Sequence, residues 1–276
     1  MLSPICSELL VTDNTPHGQV GQSAFFRLTL ERPAWESWLP GQFVMLKSRN
    51  WGNGMTWARP ISIFRMADTG LMLFIQVIGR GTQRLNDLKP GDPVTIWGPL
   101  GTSFAQTVDS PTLLLAGGMG IAPFIGYTET HPAPDRLSML FGHRLPLANY
   151  PTDFLTHRIS FKSVQEKNER DLRAFQAEVR AALEQCKTQN GLALACGPFP
   201  FLYFVWAQAL RLGVRTQLSL EQKMACGIGA CLGCVTVSSQ NWPEKVIAGL
   251  PVQTCTKGPV FWADQIDLDA KPDPGV

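Results

Sequence analysis

"TLLLAGGMGIAP", residues 112–123, is a continuous apolar run broken by glycines that then opens into a helix. A strand without polar alternation is buried on both faces, the habit of parallel sheets covered by helices. The pattern continues downstream: "LSMLFG" (137–142) and "GLALAC" (191–196) are further buried strands. Residues 169–186 place Leu172, Phe175, Val179 and Leu183 at helical spacing with charges on the other face. The apolar stretch 201–212 reads as another helix, and such alternation implies a parallel sheet.

Upstream of residue 112 the texture is different. Segments 25–30, 42–48, 59–64, 71–78 and 93–97 are short apolar or alternating runs, separated by turns such as "LPGQ" and "KPGD". They predict an antiparallel barrel. A chain of 276 residues exceeds one small core. The expected fold is multidomain, β plus α/β: an N-terminal β-barrel over 1–108, a parallel α/β nucleotide-binding domain over 109–216, and a small C-terminal module over 217–276. That last segment is too short to bury much apolar area alone and calls for a metal or covalent staple. Residues 269–276, "DAKPDPGV", read as a loose tail.

Charge excludes some functions. The net charge is +2 and Lys and Arg are scattered without a basic stripe, so nucleic acid and acidic membranes are not expected partners. The opening "MLSPICSELL" lacks a secretory pattern. Apolar stretches at 112–127 and 199–210 are interrupted or shorter than the roughly 20 residues of a membrane span. A cytoplasmic protein is therefore expected. Four of the seven cysteines fall in the last quarter of the chain, which in a reducing compartment points to metal or redox use.

Those four, Cys226, Cys231, Cys234 and Cys255, follow C-x4-C-x2-C-x20-C, the spacing order of plant-type two-iron two-sulfur clusters. Gly227, Gly229 and Gly233 let the backbone fold closely around inorganic sulfide. The alternative is structural zinc, although zinc sites more often pair two close knuckles. Cys6 and Cys186 lack such a context and read as packing or surface thiols. The four histidines are too dispersed to suggest a metal set.

Three further words suit cofactor binding. Arg59, Pro60, Ile61 and Ser62 sit in an expected strand, where a guanidinium can fork onto a diphosphate and a hydroxyl or amide can face a flavin ring; an ordinary edge strand is the alternative. "GRGT", residues 79–82, can bring amides close to phosphate at a turn into a helix, or be a plain turn. Gly117, Gly118, Gly120 and Pro123 form a strand-to-helix turn whose amides can meet a pyrophosphate, without the usual dinucleotide fingerprint. Cys196 and Gly197, in "CGP", end a later strand at the sheet edge where ligands of parallel sheets gather, and Cys196 alone reads as a small buried thiol.

In this order the words resemble the ferredoxin-reductase flavoprotein superfamily. "SLEQKMACGIGACLGCVT" (219–236) and "CTKGPVF" (255–261) are similar to the electron-transfer subunits of NAD-linked bacterial dihydroorotate dehydrogenases. The resemblance runs from about residue 8 to 265. It implies FAD held by Arg59, Pro60, Ile61 and Ser62, with Ile75, Gln76, Val77, Gly81 and Thr82 completing the site. It also implies a 2Fe-2S cluster ligated by Cys226, Cys231, Cys234 and Cys255. A nicotinamide nucleotide would lie on the turn at 117–123, with Cys196 near hydride transfer.

Two stretches depart from the family pattern. "NWGNGMTWA" before Arg59 is rich in tryptophan and glycine, and "LPLANYPTDF" after the second nucleotide-domain strand carries little acidic charge. The latter leaves NAD and NADP both open. His143 and Arg144 lie where a 2′-phosphate would be read, or are surface residues. No acid–base constellation for a carbon substrate stands out. The organic oxidation is therefore expected on another polypeptide, and the resemblance implies a relay from a partner FMN-containing catalytic subunit, through cluster and FAD, to NAD+ in pyrimidine biosynthesis, within a heterotetramer. The rivals are a reductase subunit of another redox complex, serving a sulfide dehydrogenase, hydrogenase, transhydrogenase or oxygenase, and a zinc-stapled interaction module.

Overall fold

Seven antiparallel strands form the first half of the chain: β1 (Ile5–Val20), β2 (Ser23–Leu30), β3 (Phe43–Ser48), β4 (Arg59–Ser62), β5 (Arg65–Ala67), β6 (Gly70–Gln76) and β7 (Pro93–Leu100). The computed structural model describes residues 4–20, 23–51, 54–243 and 248–270. The tail at 271–276 and Gly52 and Asn53 of the tryptophan-rich stretch lie outside them. The strands hydrogen-bond in the order β4-β3-β7-β1-β2-β6-β5. β4 also lies against β6, so the sheet curls into a half-barrel.

Period-2 alternation fills the interior. Phe26, Leu28 and Leu30, Val44 and Leu46, Leu71, Leu73 and Ile75, and Val94 and Ile96 all point into one buried cluster. Helix α1 (Arg80–Asn86) covers one end and buries Leu85. The Asn14 side chain of β1 fastens it, donating to the carbonyls of Leu85, Asn86 and Leu88 at 3.2, 3.0 and 2.8 Å. The sequence reading missed β1 and the short β5. β1 has Leu9 and Val11 in the core, but Asp13, Asn14, Thr15, Pro16 and His17 follow, and its extension is held by pairing with β2 rather than by an apolar pattern.

The second half carries the three expected buried strands, β8 (Thr112–Gly117), β9 (Leu137–His143) and β11 (Leu192–Cys196), with helices α2 (Ala122–Thr130), α3 (Glu169–Thr188) and α4 (Phe199–Leu212), and two strands the sequence reading missed, β10 (Ser160–Gln165) and β12 (Thr216–Ser219). β10, β9, β8, β11 and β12 pair in parallel in that spatial order. α3 is started by Asn168, whose side chain accepts from the Asp171 amide at 3.0 Å, and it buries Phe175, Val179 and Leu183. α4 stops where Gly213 turns left-handed at φ 65°.

The remaining elements are short: β13 (Val235–Ser238), β14 (Pro251–Gln253), α5 (Thr254–Lys257), β15 (Val260–Trp262) and β16 (Ile266–Asp267). β14, β13 and β16 make a small sheet, while β15 adds antiparallel to β12 at the edge of the larger one. Thus the C-terminal segment is stitched into both neighbours. The Thr102 amide donates to the Gly258 carbonyl at 2.7 Å, and the Leu220 amide to the Pro259 carbonyl at 2.9 Å. Among the described residues no helix is long and apolar enough to cross a membrane.

The two large sheets share one core. Phe25, Phe64 and Phe74 from the half-barrel pack in the same cluster as Phe104, Leu114, Phe124, Tyr127, Phe141 and Tyr150. An ion pair between Arg65 of β5 and Glu129 of α2, at 3.2 Å, closes the seam. Phe64 is fully buried there, 5.7 Å from the Phe74 ring and 5.5 Å from Phe154 at a right angle. Phe64→Ala should cost about 3–5 kcal/mol. Because its partners come from both halves of the chain, denaturant unfolding followed by far-ultraviolet dichroism and by tryptophan fluorescence should shift together in one transition.

Candidate functional site

Between β12 and β13 the chain runs without regular structure, and three residues there take left-handed backbone conformations: Gly227 (φ 73°), Gly229 (φ 84°) and Leu232 (φ 54°). The turns point amides at sulfur. The Ile228 N–H donates to Cys226 Sγ at 3.5 Å, and amides of Ala230 and Cys231 face the same thiol. The loop lies directly on the half-barrel, since a Cβ on Gly227 would collide with Met45 of β3. Trp97 Nε1 of β7 donates to the Cys226 carbonyl at 2.9 Å, and Gln253 Nε2 to the Gly229 carbonyl at 3.0 Å.

The four thiols stand as two pairs. Cys226 and Cys231 are within reach of each other on the outside, with Cys231 exposed; Cys234 and Cys255 form the buried pair. Cys234 and Cys255 share an apolar cluster with Phe43, Met45, Ala58 and Leu100. Among the described residues no three His, Cys, Asp or Glu side chains converge closely enough to hold one ion. Two dithiols fit a cluster in which each iron takes two thiolates. A single tetrahedral zinc needs all four around one point.

The pairs differ electrostatically. Partial burial raises the Cys226 thiol, but the amides and the Cys231 side chain outweigh it and bring the group down to about 7. Burial first, then the neighbouring Cys234, pushes Cys255 up to about 12, against the opposing Gly229 amide. Cys255 therefore becomes a thiolate ligand when a cation compensates its charge.

β4 is an edge strand, which is why Pro60 is tolerated within it. All four of its residues are half-buried. The Arg59 guanidinium donates to the Trp57 and Ala58 carbonyls at 2.8 and 3.3 Å and lies 5.6 Å over the Trp51 ring. It also rests against Gly81, where any Cβ would collide with it. A fixed cation thus meets the start of α1, whose first amides have no intrahelical acceptors. Thr82 is turned inward: its hydroxyl accepts from the Ile78 and Gly79 amides at 2.9 and 3.2 Å and shapes the turn. Ile75 is buried in the half-barrel, while Gln76 and Val77 are half-exposed beside it. Trp57 and Ile78, 57% and 81% exposed, leave large apolar surface at the same place. The arrangement has the chemistry to take a diphosphate with aromatic ends.

In the larger sheet the order reverses at β8, with β9 on one side and β11 on the other. Such a switch point opens a crevice at the carboxyl ends of the strands. A cavity of about 510 Å³ lies there, lined by Gly117, Gly118, Gly142, His143 and Pro198, and by Gln76 from the half-barrel. The two glycine words are joined: a Cβ on Gly120 would strike the Cys196 carbonyl, and one on Gly197 would stand 3.0 Å from Gly117 Cα. Pro123 is buried in the first turn of α2.

Cys196 is fully enclosed. Burial and the nearby Glu221 raise its thiol, opposed by a hydrogen bond to Ser219, so it stays protonated. Burial also raises Glu221. Ser219 and Glu221 were missed as site residues because no spacing marks them. Only the pairing of β11 with β12, which sets Cys196 opposite Ser219, brings them in. His143 is not a surface residue: it is 4% exposed, its Nδ1 lies 2.7 Å from the Leu145 carbonyl oxygen, and its ring stacks on Phe141 at 5.1 Å. Arg144 is exposed.

The three places are adjacent. Met45, against which the cysteine loop packs, is the register partner of Pro60 in β4. Gln76 carries the half-barrel into the cavity at the switch point.

Comparison with known proteins agrees with this geometry. Residues 221–267 match the family described as the iron-sulfur cluster binding domain of dihydroorotate dehydrogenase B. The chain is 30% identical over 231 residues to the dihydroorotate dehydrogenase B (NAD(+)) electron transfer subunit of Caldanaerobacter subterraneus subsp. tengcongensis, covering 82% of this chain and 86% of that one. It is 30% identical over 243 residues to the subunit of the same name from Clostridium acetobutylicum, covering 83% and 87%. In fold it is similar to the NADH-dependent reduced ferredoxin-NADP oxidoreductase, with a TM-score of 0.76 and 20% identity over 95% of this chain and 90% of that one. The chain belongs to the family of dihydroorotate dehydrogenase B (NAD(+)) electron transfer subunits.

Proposed function

We propose that this chain relays electrons between a nicotinamide nucleotide and a catalytic dehydrogenase subunit, as the electron-transfer part of a dihydroorotate dehydrogenase acting in the cytoplasm. The observation that carries this reading is the adjacency of three built sites: the nucleotide cavity, the Arg59–Gly81 cradle, and the dithiol pairs seated on β3. FAD would exchange hydride with the nicotinamide and single electrons with a 2Fe-2S cluster.

The residues divide the work. Arg59 and the first amides of α1 hold the FAD diphosphate, and Pro60, Ile61 and Ser62 with Gln76 and Val77 border its ring. Ile75 supports that wall from inside the half-barrel, and Thr82 sets the turn that presents the Gly81 amide. Gly117, Gly118 and Gly120 admit the pyrophosphate of the nicotinamide nucleotide, and Pro123 starts the helix behind it. Cys196, kept as a thiol beside Ser219 and Glu221, borders the place where nicotinamide meets flavin, with Gly197 allowing close approach. Cys226, Cys231, Cys234 and Cys255 hold the cluster. Three units carry these tasks: 1–108 for FAD, 109–216 for the nucleotide and 217–276 for the cluster.

A catalytic partner belongs to this reading, since the relatives are named electron transfer subunits. The exposed side of the cluster loop is where it would dock: Ile228 and Leu232, 56% and 62% exposed, flank the outer thiol pair. Both are large apolar side chains left open. The partner would be an FMN-containing subunit, and the assembly a heterotetramer of two chains of each kind.

Removing an inner ligand by Cys255→Ser should abolish acid-labile sulfide and the cluster's visible absorption while FAD remains, as read by cofactor analysis after anaerobic purification. Arg59→Ala removes a charge-assisted clamp and should weaken FAD binding about ten- to a hundredfold, measured by flavin retention and titration. The purified single chain should reduce dyes with a nicotinamide nucleotide yet leave dihydroorotate untouched until the catalytic subunit is added. Dihydroorotate oxidation by the single chain would overturn the division of labour.

A further inference from the structure

The tryptophan-rich stretch before β4 sits against Arg59, the residue assigned above to the FAD diphosphate. Trp51 ends a short helical turn, Arg49–Trp51, and is 2% exposed, whereas Trp57 in the same stretch is open. The Trp51 ring lies against the Arg59 guanidinium, 5.6 Å from Cζ to the ring centroid. Its carbonyl accepts from Arg84 Nη1 of α1 at 3.1 Å. Its ring nitrogen is buried without a hydrogen-bond partner. A buried indole ordinarily satisfies its N–H. What this position uses is therefore the face of the ring.

Among the described residues no carboxylate pairs with Arg59. Its Nη1 donates to the carbonyls of Trp57 and Ala58. The opposite edge, Nε with Nη2, faces Gly81, where an added Cβ would collide with both nitrogens. That edge is the one two phosphate oxygens can take in a fork. A long arginine loses much rotamer freedom when it is held still, so a preformed clamp needs something to hold it. A carboxylate would do so, but it would neutralise the charge and occupy the fork. An aromatic face attracts the cation through its quadrupole and leaves the fork and the net charge to the ligand. Arg84 in turn ties the backbone of Trp51 to α1, the helix whose first amides meet the same diphosphate.

We propose that Trp51 is a positioning residue: by a cation–π contact it holds the Arg59 guanidinium with its Nε–Nη2 edge turned to the start of α1, and so orders the clamp before FAD arrives. This rests on the reading of Arg59 as the FAD clamp. Trp51 acts through Arg59, and its effect vanishes when Arg59 is removed.

The test is a double-mutant cycle on the full-length, cluster-loaded chain, freed of FAD and titrated with FAD by flavin fluorescence. Trp51→Leu keeps apolar bulk but removes the ring face, and should weaken FAD binding about three- to tenfold. In the Arg59→Ala background the same change should leave FAD affinity where it was. Trp51→Phe keeps a ring face and loses only an N–H without a partner, so it should restore affinity to within about twofold of wild type. Arg84→Ala, an exposed change, should weaken FAD binding about two- to threefold, again only when Arg59 is present. Equal weakening by Trp51→Leu in both backgrounds, or none beside an intact Arg59, overturns the positioning role and leaves Arg59 as the clamp. Where Trp51→Leu loses its cooperative thermal transition, Arg84→Ala decides by the same rule. Unchanged FAD affinity in Arg59→Ala overturns the clamp reading of Arg59 and this proposal with it.

Discussion

Two thiols buried against a β-strand set the terms for the whole molecule. Cys234 and Cys255 sit among Phe43, Met45, Ala58 and Leu100, and burial beside another thiol pushes Cys255 up to about 12. A thiol raised in this way becomes a ligand when metal charge replaces its proton. Binding free energy is then folding free energy for the segment that carries them. That matters because the segment is built of strands only two to four residues long. Hydrogen bonds from Thr102, Leu220 and Trp97 position the loop, and the inner thiols fasten it to the half-barrel.

The same seating explains how three cofactor places share one frame. β3 offers Met45 to the cysteine loop and pairs with β4, whose Pro60 is Met45's register partner. β4 carries Arg59, and Arg59 reaches α1 across Gly81. β6 ends in Gln76, which enters the wall of the nucleotide cavity. Each link is a backbone pairing or a side chain packed in a shared core, so the distances between sites are fixed by strand spacing and by the common aromatic core around Phe64 and Phe124. A relay needs that rigidity, because its task is to hold groups in place and to tune their surroundings.

Much of this was legible in the sequence because the relevant signals are local. The cysteine spacing, the unbroken "TLLLA" and the heptad-like Leu172, Phe175, Val179 and Leu183 each report on a few neighbouring residues, and the strands and helix formed where the patterns lie. What escaped was nonlocal. β1 is held by partners rather than by its own alternation, and β15 joins the larger sheet from a region that reads as turns and short strands of a separate module. His143 follows a buried strand and precedes an arginine, which suggests surface; instead its ring is clamped by Phe141 and Tyr150. Ser219 and Glu221 gain meaning only through the register of β11 with β12. Glu166 is a surface-type residue in sequence, and only the backfolding over Gly142 turns it toward the cavity.

The two ends of the larger sheet show why location, not volume, assigns function. A second cavity of about 360 Å³ is lined by Leu113, Ser138 and Ser160, near the beginnings of β8, β9 and β10, with Lys162, Glu178 and Cys186. Lys162 and Glu178 close on each other at 2.7 Å, and burial pushes the Cys186 thiol up to about 11, so the charges face each other and the sulfur stays protonated. At the carboxyl ends the balance is reversed: glycines line the cavity without side chains, and the strand order changes direction. Parallel strands deliver side chains and following loops to that end only, which is why ligands gather there. One end is packed around its own charges, and the other is left open for those of a ligand.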